Sequence, residues 1–378
     1  MIQIHHQHDC CGCQACVQIC PKQCISTNTD AEGFWYPTVQ EGLCIKCGLC
    51  EKVCPMIHHG VQSVKTPTAY AAWNLDASTR KNSSSGGIFT LLSEQILSKG
   101  GVIYGAAMIG SSVRHIRVDR QDQLPLLQGS KYVQSDVSGT YSQAKKDLLM
   151  ERPVLYSGTP CQIEGLLNYL GRPYENLFCV DMICHGVPSP LVWDKYVSFR
   201  EKAAASTVDS ISFRDKASGW SNYGVRFSFH NGSEYRVNHG SDPYIRAFLR
   251  NLTLRPSCYQ CKFRKLNRRS DITLADFWGV DQICPEMNDN SGTSLVIVHS
   301  EKGRQIIAEA ESAMKYLSVD VQSAIQYNPS MIKSLPVPKK RHAFMSDIMN
   351  APFDAVVSRY AHKNRFNIKR ILKKVFRL

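Results

Sequence analysis

The chain has 378 residues with a formal net charge of +13, 16 cysteines and 43% hydrophobic residues. This length suffices for two or three domains, and no apolar run is long enough to span a bilayer. The N-terminus lacks the basic start and apolar run of a secretory signal, so we expect a cytoplasmic protein with reduced cysteines. The basic charge accompanies no recognised nucleic-acid-binding motif, and we therefore expect no nucleic-acid partner.

Two cysteine runs near the N-terminus share one spacing. Cys10–Pro21 and Cys44–Pro55 both follow C-x2-C-x2-C-x3-C-P, displaced by 34 residues. The pattern is typical of bacterial ferredoxins with two [4Fe–4S] clusters, in which the fourth cysteine of each run ligates the other cluster. Zinc also binds C-x2-C pairs, but four ligands saturate zinc and give no reason for a doubled three-plus-one run. We predict a ferredoxin-type domain over residues 1–60, with one cluster on Cys10, Cys13, Cys16 and Cys54 and the other on Cys44, Cys47, Cys50 and Cys20.

A polar segment over residues 61–68, which contains a proline near its end, is predicted to be a linker. From Ala69 onward, predicted strands alternate with predicted helices, which is typical of an α/β fold. Residues 83–87, three serines and two glycines, stand at the predicted start of a helix that runs to about Ser98. Serine commonly caps a helix, and the free amides of a helix start bind anions, so this segment is either an ordinary capped helix or a phosphate site.

Small and polar residues follow two further predicted strands. The strand at 153–156 is followed by Ser-Gly-Thr-Pro-Cys over residues 157–161, and the strand at 177–183 is followed by Cys184 and His185. Open α/β sheets bind ligands beyond the carboxyl ends of their strands. Histidine titrates near neutrality, so His185 is either a candidate proton donor or a hydrogen-bonding neighbour of a metal cluster.

The region over residues 206–237 changes character. Its apolar and polar side chains alternate, and the hairpin dipeptide Asn231-Gly232 separates two apolar runs. This pattern predicts an antiparallel insertion or edge. Beyond it, strands are predicted at 272–279 and 293–299, and a helix is predicted over 301–317.

Four cysteines outside the N-terminal runs could meet in space. Cys161 and Cys184 each follow a predicted strand, and Cys258 and Cys261 form a C-x2-C pair. Together they supply four thiolates, enough for a third cluster. The alternative is that scattered cysteines of this kind are buried core residues.

The last segment, residues 318–378, is predicted to be a C-terminal extension with a basic amphipathic helix. No acidic residue follows Asp354, whereas eight lysines and arginines do. Such a helix is expected either to contact an anionic membrane surface or a partner, or to pack its apolar stripe on its own protein. The stripe consists of Ile368, Ile371, Leu372, Val375 and Phe376.

The order of motifs over residues 69–317 resembles the coenzyme F420 hydrogenase/dehydrogenase beta-subunit family. The resemblance implies an α+β protein in which the ferredoxin-type domain precedes a larger α/β flavin-binding domain with an antiparallel β insertion. The matching segments are residues 83–87, 129–135, 158–162 and 184–186, the cysteine pair at 258 and 261, and Asp-Phe-Trp-Gly at 276–279.

Members of this family are iron–sulfur flavoproteins, so the resemblance implies FAD and a third [4Fe–4S] cluster. It makes Cys161, Cys184, Cys258 and Cys261 the ligands of that cluster. It also implies that three segments contact FAD: the serines and glycines of residues 83–87, the loop of residues 129–135 that contains Lys131, and the loop before residue 160. The residues implied are Ser84, Ser85, Gly86, Gly87, Ser130, Lys131, Gly158 and Thr159.

Three functional hypotheses follow from these motifs. The first is a flavoprotein oxidoreductase that passes electrons between a ferredoxin-like donor and a small organic substrate, with a deazaflavin as one candidate. The second is a non-catalytic electron-transfer subunit of a larger dehydrogenase or hydrogenase complex. The third keeps only the ferredoxin-type domain functional and makes the body a docking or regulatory domain. We expect a protein electron partner such as ferredoxin, and a homo-oligomer.

Overall fold

The structure is a computed structural model that describes residues 1–60 and 66–362. Its first part is a compact module in which the two cysteine runs wrap around a small sheet. Residues with left-handed backbone, Gln14 (φ 58°) and Gly48 (φ 75°), directly precede the two helices and turn the cysteine loops back on themselves. The elements of this module are α1 (Ala15–Ile19), β1 (Ile25–Thr29), β2 (Trp35–Val39) and α2 (Leu49–Lys52).

The body is built on an eight-stranded mixed sheet with the order β13-β3-β12-β11-β7-β6-β4-β5. Its central strands β11, β7, β6 and β4 run parallel, and β12, β13 and β5 pair antiparallel with their neighbours. The parallel strands are nearly continuous apolar runs because both faces of the sheet are covered. The strands are β3 (Thr68–Asn74), β4 (Val102–Ile109), β5 (Ser112–Val118), β6 (Val154–Ser157), β7 (Leu177–Met182), β11 (Ile272–Asp276), β12 (Ser294–Val298) and β13 (Met314–Val319).

Helices cover both faces of this sheet, as the alternating pattern predicts. One core lies under the helices nearest β3 and β12, and a second lies between the sheet and the helices that follow β5 and β6. The helices of the body are α3 (Ala77–Asn82), α4 (Ile88–Ser98), α5 (Thr140–Leu149), α6 (Pro160–Leu170), α7 (Pro190–Ala204), α8 (Pro243–Leu249), α9 (Val280–Ile283), α10 (Glu301–Ala310), α11 (Val321–Ile325), α12 (Arg341–Asn350) and α13 (Phe353–Tyr360).

The predicted antiparallel insertion is a separate three-stranded sheet of β8 (Val208–Asp215), β9 (Gly224–Phe229) and β10 (Glu234–Asn238). It packs its aromatic face on α7, α8, α12 and α13 in one shared core. The mixed α/β fold with an N-terminal ferredoxin-like module, predicted from the sequence, is confirmed.

The end of the described chain differs from prediction in one element. The helix expected over 301–317 stops at Ala310, and Met314–Val319 forms the edge strand β13, paired antiparallel with β3. Pairing with an exposed strand edge overrides the local helical pattern here. Beyond β13, residues of α12 and α13 join the core of the three-stranded sheet.

The predicted amphipathic stripe of the tail lies outside the described residues, which end at 362. Within the described ranges, no helix combines the length and the apolar character needed to cross a membrane.

The N-terminal module packs directly on the body. Cys13 and Ala15 share a core with Tyr141 of α5 and Ile163 of α6. A glycine makes this approach possible, since a Cβ added at Gly165 would lie 3.0 Å from the Cys13 sulfur. The first cysteine run is therefore held against the carboxyl-end side of the large sheet.

Candidate functional site

The eight cysteines of the N-terminal runs fall into two groups around two small cavities. Each group combines three cysteines of one run with the fourth cysteine of the other, as the ferredoxin pattern predicts. One cavity is lined by the cluster-one cysteines, Cys10, Cys13, Cys16 and Cys54. The other is lined by the cluster-two cysteines, Cys20, Cys44, Cys47 and Cys50.

Two further cysteines accompany these groups. Cys24 lines the cluster-two cavity, and its sulfur lies 3.4 Å from that of Cys20. Cys11 lines the cluster-one cavity. The pKa of the Cys11 thiol is raised mainly by its hydrogen bond to Cys13. Cys11 also contacts Cys161 of the body, so this cysteine connects the module to the next group.

The third cysteine group, Cys161, Cys184, Cys258 and Cys261, is brought together from three parts of the body. Cys161 lies in the first turn of α6, Cys184 follows β7, and the other two lie in and just after the short helical turn Pro256–Gln260. The four thiols interact with one another. The two strand ends and the C-x2-C pair therefore converge.

The chemistry of the third cysteine group fits a bound cluster. Burial raises the pKa of Cys184 and Cys261 and raises that of Cys258 to about 12, and a hydrogen bond that Cys161 donates to Cys11 is the main cause of the raised pKa of Cys161. Four crowded thiols become thiolates at neutral pH only when a metal compensates the charge.

Among residues 1–60 and 66–362, no three His, Cys, Asp or Glu side chains are placed so that they could hold a single metal ion. A [4Fe–4S] cluster does not need that arrangement, because each of its thiolates binds a different iron atom.

A cavity of about 340 Å³ lies beside the third cysteine group. It opens at the carboxyl ends of β6, β7 and β11, where Ser157, Met182 and Asp276 line it. This is the edge of a parallel sheet at which ligands bind. The volume lies within the range of small-molecule sites, roughly 300–1,000 Å³.

Most of the residues implied as flavin contacts line this cavity. They come from the segment after α3, from the loop before residue 135 and from the loop between β6 and α6. They are Ser84, Ser85, Gly87, Ser130, Lys131, Gly158 and Thr159.

Lys131 is the cation of this cavity. Its ammonium donates to the carbonyls of Leu126 (3.2 Å) and Gln128 (2.8 Å), which leaves one of its three N–H groups available. Burial lowers its pKa to about 7. No ion pair with Lys131 is found in the described part of the chain. A cation that is half-buried in the cavity wall fits an anionic group such as a diphosphate.

Hydroxyls stand beside this cation. The side chains of Ser84 and Ser130 are hydrogen-bonded to each other at 2.7 Å across the cavity wall. Lys216 donates to the carbonyls of Arg80 and Ser85 and so fixes the serine segment in place. Lys131, these two hydroxyls and the glycine at 129 together form a polar end to the cavity.

The serine segment differs from prediction at its helix start. α4 begins at Ile88 with Gly87 at its N-cap (φ 82°), so no serine caps this helix. Ser83 instead ends α3, and its hydroxyl donates to the carbonyl of Thr79 at 2.8 Å. The left-handed N-cap is a conformation that glycine adopts without strain, which is why the cap is glycine.

Two candidate residues do not line the cavity. Gly86 lies behind it, with its amide bonded to the Ser294 hydroxyl at 3.0 Å, and a side chain there would collide with the carbonyl of Ala72. His185 points elsewhere, with Nε2 2.7 Å from the Asn251 side-chain oxygen and its ring against Phe248. Burial lowers the His185 pKa. Its observed hydrogen bond is to Asn251, so the structure decides for neither of the two roles considered for His185.

His115 lines the cavity although the motifs did not single it out. Its Nε2 donates to the carbonyl of Ser157 (2.9 Å), and its Nδ1 accepts from the hydroxyl of Ser135 (2.7 Å). Burial lowers its pKa to about 4, so the ring is neutral near pH 7. The signal in the sequence is period two along β5, which places His115 on the same buried face as Val113.

The cavity and the cysteine groups share walls. Cys161 belongs to the third cysteine group and lines the cavity, and Cys11 lines both the cavity and the cluster-one cavity. The cluster-two cysteines in turn pack against Cys16 and Cys54 of cluster one, so the three cysteine groups and the cavity form one continuous region.

Comparison with known proteins identifies the two parts of this region. Residues 9–57 match the 4Fe-4S dicluster domain, and residues 151–323 match the C terminus of the coenzyme F420 hydrogenase/dehydrogenase beta subunit. No curated protein matches the chain.

Among solved structures, the xenon-derivatized F420-reducing [NiFe] hydrogenase complex from Methanosarcina barkeri contains a similar chain. It is 16% identical, with a TM-score of 0.45, and the match covers 68% of this chain and 85% of that chain.

The dicluster match supports the two predicted N-terminal iron–sulfur clusters. The chain is accordingly an iron–sulfur electron-transfer protein of the oxidoreductase class, in which residues 9–57 match a 4Fe-4S dicluster domain and residues 151–323 are similar to the C terminus of the coenzyme F420 hydrogenase/dehydrogenase beta subunit.

Proposed function

We propose that this chain is an iron–sulfur flavoprotein oxidoreductase that passes electrons between a ferredoxin-like partner and a small organic substrate. The observation that carries the proposal is the shared wall: Cys161 belongs to the third cysteine group and also lines the cavity. Electrons from a cluster at that position would reach a cavity ligand without crossing the protein.

The third cluster would be held by Cys161, Cys184, Cys258 and Cys261, and FAD by the cavity. Lys131, Ser84 and Ser130 form the polar end that suits the diphosphate. A bound flavin supplies the exchange between one-electron and two-electron chemistry. His115 presents a neutral ring whose two nitrogens are already engaged, so it orients the loops at Ser135 and Ser157.

The substrate would be an organic molecule that accepts or donates a hydride at the flavin. A deazaflavin is the candidate suggested by the family description, which names coenzyme F420.

The composition of the protein tests the proposal first. Anaerobic purification followed by iron, sulfide and flavin analysis should give about twelve irons and one FAD per chain, as expected for three [4Fe–4S] clusters and a flavin. About eight irons without flavin would refute both the third cluster and the flavin site, and would leave a dicluster protein with a docking body.

The pH dependence of flavin binding should report Lys131. Because its pKa without ligand is lowered to about 7, the ammonium is charged below pH 7 and increasingly neutral above it. FAD affinity should therefore fall as the pH rises above 7, and Lys131→Met should bind more weakly at pH 6 and lose most of this dependence. Fluorescence titration of deflavinated protein measures both, with Lys146→Met of the exposed α5 surface as control. An unchanged pH profile in Lys131→Met would exclude the lysine from the flavin site.

A second candidate is an electron-transfer subunit of a larger complex. The matching family model describes a beta subunit. Cys47 is exposed at the cluster-two end of the module. Two apolar neighbours, Leu43 and Ile45, are each 57% exposed there. Co-purification with a dehydrogenase or hydrogenase, and no turnover of the isolated chain with an artificial donor, would favour this candidate.

A further inference from the structure

Arg255 lies fully buried at the junction between the N-terminal module and the body. Its Nε donates to the carbonyl of Cys10 at 2.8 Å, and a terminal nitrogen donates to the carbonyl of Trp35 at 2.9 Å. The other terminal nitrogen lies 3.4 Å from the side-chain oxygen of Gln134, and the guanidinium stacks 4.3 Å from the ring centre of Tyr36. Neutral groups therefore satisfy its donors.

This arginine differs from the other buried arginines of the described chain. Each of those is paired with a carboxylate, whereas no carboxylate forms an ion pair with Arg255 within residues 1–60 and 66–362. The charge of Arg255 acts on Asp30 without an ion pair, because the Asp30 carboxylate accepts hydrogen bonds from the amides of Glu32 and Phe34. The paired arginines are Arg80 with Asp289, Arg214 with Asp276, Arg268 with Asp181 and Arg341 with Glu32.

The groups around Arg255 that can become anionic are cysteines. Cys10 and Cys11 on one side and Cys258 on the other interact electrostatically with Arg255. Cys258 is only three residues away, and its amide donates to the Arg255 carbonyl at 2.9 Å. A [4Fe–4S] cluster with four thiolates carries net negative charge, and reduction adds one more negative charge. An unpaired buried cation is stable where two such anionic groups flank it.

We propose that Arg255 is an electrostatic bridge that stabilises the reduced states of both the cluster on the cluster-one cysteines and the cluster on the third cysteine group. The second half of this proposal rests on the proposed function. Arg255 touches neither cavity ligand nor substrate, so it is a positioning and potential-setting residue. Because Arg255 raises both reduction potentials, the difference in potential between the two clusters stays small and electron transfer between them is nearly isoenergetic.

The size of the effect follows from Coulomb's law. At an effective dielectric constant of about 20 and a separation of about 10 Å, one unit charge changes a reduction equilibrium by about tenfold. For a one-electron couple, a tenfold change is about 59 mV. The cluster on the cluster-two cysteines, which lies on the far side of the module, should change less.

The test is an EPR-monitored redox titration of the anaerobically purified holoprotein and its variants. Arg255→Met removes the charge and should lower both potentials by at least the tenfold equivalent. Arg255→Lys keeps the charge and should hold both near the wild-type values. Arg255→Gln serves as a second neutral variant that still donates to the Cys10 carbonyl, should the methionine variant fail to fold.

The matched control is the double variant Glu32→Gln with Arg341→Met. It removes another buried arginine from the same junction but leaves the net charge unchanged, and it should shift neither potential. Equal shifts in Arg255→Lys and Arg255→Met, or unchanged potentials in both neutral variants, would overturn the bridge.

The iron content separates this proposal from the proposed function. With about twelve irons per chain, a shift confined to the cluster-one signal would refute the bridge while leaving the reductase intact. With about eight irons, the proposed function fails and the bridge to the third cluster fails with it; a shift of the cluster-one signal would then support the remaining half alone.

Discussion

Replacing Cys184 with alanine should remove the proposed third cluster and spare the two N-terminal ones. Iron should fall from about twelve to about eight per chain, since the remaining three thiols cannot hold a complete [4Fe–4S] cubane. Electron transfer to the flavin should fall with it, because the cluster bordering the cavity is the step that the variant removes. Anaerobic iron analysis and EPR spin counting measure the first effect, and stopped-flow flavin reduction measures the second.

Cys284→Ala is the matched control for this variant. Cys284 is also a buried cysteine of the body, but it packs in the core with Phe277, Val280 and Met287 and lines neither the cavity nor a cysteine group. Its iron content should remain that of the wild type. If both variants kept about twelve irons, or both lost the same amount, Cys184 would not be a ligand.

Removing Arg341 should cost more stability than removing its whole ion pair. Arg341 binds the Glu32 carboxylate with both terminal nitrogens, one at 2.8 Å, and also donates to the carbonyl of Leu254 and the hydroxyl of Tyr259. It therefore joins the N-terminal module, the segment that contains Cys258, and α12. Arg341→Met leaves a largely buried carboxylate without its partner, which costs about 3–5 kcal/mol.

Thermal unfolding of the holoprotein under anaerobic conditions measures this cost as a lower midpoint. The double variant Glu32→Gln with Arg341→Met, which leaves no unpaired charge, should unfold closer to the wild type. If the single and double variants unfolded at the same temperature, the loss would come from packing around Tyr259 and not from the stranded charge.

The cysteine spacing predicted the most detailed part of the site. A run of x2 and x3 gaps restricts which sulfurs can meet, so the exchange of Cys20 and Cys54 between the two runs could be predicted without the fold. The third cysteine group required the fold, because the ends of β6 and β7 place Cys161 and Cys184, whereas Cys258 comes from a helical turn more than 70 residues further along the chain.

The position of the cavity could be predicted from the sequence, but only some of the residues that line it could be. Small residues after β6 and β7 marked the carboxyl edge, where the cavity lies. His115 is marked only by the period-two burial of β5. Nothing local marks Arg255 or Arg341, which bind the Cys10 carbonyl and the Glu32 carboxylate across more than 200 residues of sequence. The strand β13 was missed for the same reason, since its helical pattern is overruled by the edge of β3.

The exposed sulfur of Cys47 has a consequence for handling in air. Cys47 is the one exposed cysteine of the twelve proposed ligands, all of which lie in the described chain, whereas Cys13 and Cys50 are buried. The face at which a protein partner could reach a cluster is also the face at which dioxygen meets it. Damage by air should therefore begin at the cluster on the cluster-two cysteines and proceed inward, so that the end most accessible to an electron-transfer partner is also the end that oxygen damages first.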